Sequence, residues 1–244
     1  TMLVLSMGAL LLAGTLSAQT PVPEWQAGVD KMKSLIQTNP AQASEEVGEL
    51  LKGKNKKNVD LVTSVAHVYL DAGKLTEAQE YLAMAKKADN KDPKVSVLEG
   101  DIALAQKNIG QACQLYEQAI YFDPNCKEAY LKYAQAYKSA SPALAIEKLE
   151  QLKAVAPNCL EADRELAEVY YSSNRFGKAA EMYAKFIDTP LATEDDMLKY
   201  AFALFLNHDF EKSLQVAQKG LQKNARHAAF NRLVMYNNTD LKRY

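Results

Sequence analysis

Apolar residues recur along most of the chain with the spacing of helices that bury one face. Between residues 59 and 92, Val62, Val65, Ala66 and Tyr69 share one side of a predicted helix. Gly73 interrupts it, and Leu75, Ala78, Leu82 and Ala85 mark the buried side of a second helix. The stretch GQACQLYEQAIYFDPNC, residues 110–126, repeats the signature. Ala112, Tyr116 and Ala119 form its apolar face, and Pro124 stops it, because proline has no N–H to donate and its ring clashes with the preceding turn. Upstream, Trp25 to Ile36 has helical spacing, and Pro40 opens a second helix to about Leu51.

Two of these segments superimpose. Ala78, Leu82 and Ala85 align with Ala112, Tyr116 and Ala119 at an offset of 34 residues. Numbering each unit from 1 to 34 puts small residues at positions 8 and 20: Ala66 and Ala78, Gly100 and Ala112, Ala134 and Ala145, Ala167 and Ala179, Ala201 and Ser213. Large residues hold positions 4, 7, 11, 17 and 24, and proline recurs near 32 at Pro124 and Pro157. Small residues let two antiparallel helices approach closely, large ones fill the space around them, and the proline forces the chain into the next hairpin. The period and pattern resemble the tetratricopeptide repeat family. That resemblance implies an all-α fold, a right-handed superhelical solenoid of stacked antiparallel hairpins. The repeats are 59–92, 93–126, 127–159, 160–193 and 194–227, with a partial sixth at 228–244. Two departures stand out: Glu99 occupies an apolar slot, and the third repeat's turn, Ser139 to Pro142, is one residue short.

The ends read differently. Met2 to Ala18 carries no charge and closes on the small-residue pattern Leu16-Ser17-Ala18, the h-region and cleavage site of a secretory signal peptide over 1–18. An uncleaved membrane anchor is the alternative. A flexible start at 19–23 and a degenerate hairpin with its loop at 24–58 follow, the loop carrying the basic run Lys52–Asn58, read as solvated. At the other end, helix A of the sixth repeat is expected to leave an apolar side open. The array is therefore expected to continue beyond Tyr244, unless a short final helix caps it.

A net charge of −1 lacks the concentrated basic surface that replaces phosphate counterions, which argues against nucleic acid as a partner. His67, His208 and His227 are isolated in separate repeats and read as surface residues, and no HExxH, CxxC, phosphate-loop or GxSxG motif occurs. No catalytic residue, metal site or cofactor is expected. Cys126 and Cys159 hold equivalent positions in adjacent repeats, roughly 10 Å apart by helix-packing distances. A disulfide needs Cα atoms within about 7 Å. Cys113 is expected to be a packing residue.

In the family that the repeats resemble, helix A positions 2, 5, 9, 12 and 13 line a concave groove. Those positions nominate Lys94, Asp101, Glu128, Leu131, Gln135, Arg164, Glu168, Tyr171, Phe202 and Phe205 as partner contacts, with Tyr171, Phe202 and Phe205 as exposed aromatic anchors, unless Phe202 and Phe205 pack under a further C-terminal part. The Lys and Asn that clamp a peptide carboxylate in some relatives are replaced here by Thr63 and His67, then Val97 and Asp101. The implied function is a non-enzymatic scaffold that binds a protein or peptide in its groove. It would be exported to the periplasm or outer membrane of a Gram-negative bacterium, touching membrane only through an uncleaved signal segment. The alternatives are an outer-membrane component for glycan or nutrient uptake, and a repeat module of a longer protein with a C-terminal effector domain.

Overall fold

A computed structural model describes residues 22–242, and every regular element among them is a helix. The expected signal peptide, 1–18, lies outside the described residues. The first hairpin pairs α1 (Gln26–Leu35) with α2 (Pro40–Leu50). Five more follow: α3 (Val59–Asp71) with α4 (Leu75–Ala88), α5 (Pro93–Ala105) with α6 (Ile109–Phe122), α7 (Lys127–Tyr137) with α8 (Pro142–Val155), α9 (Leu160–Ser172) with α10 (Phe176–Phe186), and α11 (Glu194–Leu206) with α12 (Phe210–Lys223). The single helix α13 (Ala228–Asp240) packs on α12 and α11. Each first helix also meets the first helix of the next hairpin, α9 reaching α11 through the Arg164–Asp196 and Lys199–Glu168 side-chain bonds, so the units stack as a solenoid.

Local chemistry sets the helix ends. The side chains of Asn58, Asp92, Asn108 and Asp209 accept from backbone N–H groups in the first turns of α3, α5, α6 and α12. Thr193 and Asp196 form a reciprocal capping box on α11. After α3, α5, α9, α11 and α13 comes one left-handed residue at position 15: Gly73, Lys107, Asn174, His208 and Lys242 have φ of 74°, 64°, 58°, 63° and 55°. The N–H that follows in each of the first four turns (Lys74, Asn108, Arg175, Asp209) donates back to position 11 (Tyr69, Ala103, Tyr170, Leu204). The third repeat, one residue shorter, has no left-handed residue; Ser141 N–H donates to Tyr137 O at 2.7 Å instead. The basic run is not an open loop: Gly53–Lys57 is a 3-10 helix, tied down by Asn55 Nδ2 donating to Leu50 O at 2.9 Å, with its lysines outward.

The small residues at positions 8 and 20 are buried, and the aromatics Tyr116, Tyr183, Phe186 and Phe230 fill the space between hairpins. Each such side chain contributes about 1.5–3 kcal/mol when fully buried. In repeat 2 the fit is tight: a Cβ on Gly100 would lie 2.5 Å from Tyr116 Cε1. Glu99, in its apolar slot, is met by Lys86 Nζ at 2.5 Å. The expected open apolar side of α13 is only partly so. Positions 4 and 11 hold Asn231 and Asn238, and position 8 holds Met235, 56% exposed where the preceding repeats have Ala or Gly.

Candidate partner-binding groove

The first helices line one face of the solenoid, but the ten nominated residues do not form one continuous surface. Several are consumed by bonds between repeats. Asp101 is a buried hub whose side chain is only 7% exposed. Its Oδ1 accepts from Tyr116 Oη at 2.7 Å, and its Oδ2 accepts from Lys132 Nζ at 2.9 Å and His67 Nε2 at 3.0 Å. Burial opposes its charge, yet the bonds from His67, Tyr116 and Lys132 outweigh it and hold the carboxyl below its ordinary range. Burial and the Asp101 carboxylate together push the Tyr116 phenol far above its ordinary value. His67, expected on the surface, is therefore half-buried and bonded.

Glu168 repeats the device two hairpins later. Its Oε1 accepts from Tyr183 Oη at 2.7 Å, and Lys199 Nζ reaches its two oxygens at 3.0 and 2.9 Å. Position 9 of one repeat thus meets position 24 of the same repeat and position 6 of the next. Between repeats 3 and 4 the polarity reverses: Gln135 Nε2 donates to Glu165 Oε1 at 2.8 Å, and the other Glu165 oxygen is buried without a partner. Arg164 clasps Asp196 through Nε and a terminal nitrogen, both at 3.0 Å. These residues hold repeats together before they can meet a guest. Sequence reading by face missed Tyr116, Lys132, Tyr183 and Lys199, although the spacings of 15 and 31 residues are identical in both sets and were available as a signal.

The remaining nominees gather at the two ends. At the C-terminal end the aromatics are half-buried, not fully exposed as expected. Tyr171 packs edge-on against Phe176 at 5.7 Å, and Phe205 packs against Phe210 at 5.5 Å and Tyr236 at 6.1 Å, because each ring covers the seam to the neighbouring helix. Phe202 and Leu198 join the same cluster. The freer apolar surface belongs to residues not nominated, Leu206 at 44% and Tyr236 at 43% exposure. Leu131, half-buried, packs into the central core. At the N-terminal end, Lys94 and Glu128 border a cleft of about 380 Å³ together with Trp25, Asp60 and His67. Lys94 Nζ is bonded to Asp60.

Among the described residues no group of three or more His, Cys, Asp or Glu side chains is placed to hold a metal ion, and no helix is long and apolar enough to cross a membrane. Cys113, Cys126 and Cys159 are free thiols.

Residues 63–125 and 135–192 match the model of the tetratricopeptide repeat family. No curated protein matches the chain by sequence. Among solved structures, the chain is similar to PilW, described as a widely conserved type IV pilus biogenesis factor, with 17% identity and a TM-score of 0.65 over 86% of this chain and 97% of that one. It is similar to pilF of Pseudomonas aeruginosa at 16% identity and TM-score 0.62, over 85% and 95% of the two chains. It is also similar to YrrB, described as having an unusual peptide-binding site, at 14% identity and TM-score 0.55, over 76% and 95%. At these identities the likeness is one of fold.

Proposed function

The chain carries tetratricopeptide repeats, a fold that typically serves protein–protein interaction, and from that premise we propose that it is a non-enzymatic scaffold of the bacterial envelope. Its partner is a protein segment bound on the concave face. One observation carries the choice of surface: Phe202, Phe205, Leu206 and Tyr236 adjoin on successive first helices, and two of them are over two-fifths exposed. Half-buried aromatics with freer apolar neighbours suit an amphipathic helix laid along the groove, since desolvated aromatic anchors dominate such interfaces. Export is supported by the uncharged apolar stretch Met2–Ala18 and its small-residue end.

A photo-crosslinking residue placed at Leu206 or Tyr236, and at Gln118 on a second helix as control, tests the reading in cells of a Gram-negative host. Adducts to one defined partner segment are expected at the first two positions only. Adducts equally at Gln118, or at none of the three, refute it. The mature N-terminus is expected at Gln19 in the periplasmic fraction, as read by intact mass; retention of residues 1–18 there overturns the cleavage, and recovery in the cytoplasmic fraction alone overturns the export reading.

A further inference from the structure

The cleft at the N-terminal end of the groove has a one-sided hydrogen-bonding character. The hydroxyl of Thr63 donates to Val59 O at 2.8 Å and that of Ser64 to Asp60 O at 2.7 Å, so both present only oxygen lone pairs to a guest. His67 Nε2 is already engaged by Asp101 Oδ2 at 3.0 Å. Asp60 and Glu128 add carboxylates at the rim, and both are exposed. Among the described residues Lys94 is the one lysine or arginine in the lining, and its ammonium is already bonded to Asp60. Trp25 forms an aromatic wall.

We propose that this cleft binds the guanidinium of an arginine side chain presented by a peptide. A guanidinium offers five donors in one plane, matches carboxylates in a fork and stacks on an indole face, which is what acceptors around a single aromatic wall require. An anionic guest would face Asp60 and Glu128 with a lysine already engaged. The volume, about 380 Å³, takes one long side chain and a short length of backbone. The inference rests on reading the concave face as a partner surface, and it assigns to the N-terminal end a chemistry separate from the apolar C-terminal end. Lys94 then acts as an internal competitor, holding Asp60 until a guest arginine displaces it.

Trp25 is the sole tryptophan of the chain, so its fluorescence reports on the cleft directly. The probes are the blocked tripeptide Gly-Arg-Gly and the same peptide with citrulline, which keeps the shape and loses the charge. Saturable change with the arginine peptide is expected, with the citrulline peptide weaker by about tenfold, the order of a charge-assisted pair. Glu128→Gln is expected to weaken arginine binding several-fold. Lys94→Met is expected to tighten it, because Asp60 is released, an effect that loss of a merely structural lysine would not produce. No saturable response, equal binding of citrulline, or weaker binding to Lys94→Met overturns the proposal. Crosslinking at Leu206 and Tyr236 does not depend on Trp25, so failure of the cleft and failure of the partner-binding reading are separable.

Discussion

Removing one hydroxyl separates the two tyrosine–carboxylate devices. Tyr116→Phe keeps a ring that is fully buried and deletes the donor to Asp101 Oδ1 at 2.7 Å. A hydrogen bond to a charged group contributes about 1.5–3 kcal/mol, and an acceptor left buried without a donor retains its desolvation cost. Asp101 keeps Lys132 and His67 on its other oxygen, which places the expected loss near the low end, about 1.5 kcal/mol. Tyr183→Phe deletes the matching bond to Glu168, but that carboxylate is 25% exposed and Lys199 reaches both of its oxygens. Water can replace the lost donor, so the expected loss is under about 1 kcal/mol. Urea unfolding followed by far-UV circular dichroism gives the global comparison. Amide exchange in α5 and α6 gives the local one, because stacked repeats open in sections. Repeating Tyr116→Phe in an Asp101→Asn background closes a double-mutant cycle with an expected coupling of about 1 kcal/mol. Equal losses at Tyr116 and Tyr183, or a coupling near zero, would show that burial of the carboxylate does not set the strength of the bond.

Three further outcomes follow from the packing and the titrating groups. Gly100→Ala places its Cβ against a tyrosine ring held at its far end, and is expected to cost about 1–3 kcal/mol of overpacking against about 1 kcal/mol gained in helix propensity. Gly48→Ala in α2 meets nothing within 4 Å and is expected to stabilise by about 0.4–1 kcal/mol, so thermal shifts of opposite sign check the pair. Asp101 has a lowered pKa, so its stabilisation is complete above about pH 5 and is lost as acidification passes through its folded value. Asp101→Asn should therefore be less stable at neutral pH and show a shallower acid loss, measured by unfolding at stepped pH. Cys113 is buried, with its thiol pushed up to about 11 chiefly by burial, whereas Cys126 is half-exposed. Mass-mapped alkylation of the native protein should modify Cys126 first, and earlier labelling of Cys113 would contradict the packing.

The spacing of small residues made the hairpins legible, because Ala66 and Ala78, or Ala167 and Ala179, mark close helix contacts that large residues do not permit. Pro93, Lys127 and Glu194 open their helices where the register placed repeat starts. Other features needed the third dimension. The GKNKK turn has no apolar period, so nothing in it announced a 3-10 helix. Asp101 and Glu168 looked like groove residues by position alone, and only stacking brings a lysine 31 residues later onto each carboxylate. Phe205 and Phe202 fall on the groove side, but the seam to α13 takes half their surface. Trp25 reads as the start of a helix and not as a groove residue, because its hairpin departs from the repeat pattern, and the cleft it walls lies where that hairpin meets repeats 1 to 3.

The polar devices have a longer wavelength than the fold. Glu168 follows Asp101 by 67 residues, two hairpins, while the joint between them carries the reversed pair Gln135 and Glu165. Excising repeat 3 alone would bring Asp101 opposite Glu165, acid against acid. Excising repeats 3 and 4 together would bring it opposite Lys199, acid against base. Backbone geometry permits the array to be shortened or extended one hairpin at a time, but the charge on Asp101 penalises the loss of repeat 3 by itself. The smallest excision after repeat 2 that gives Asp101 a lysine again is a pair of repeats.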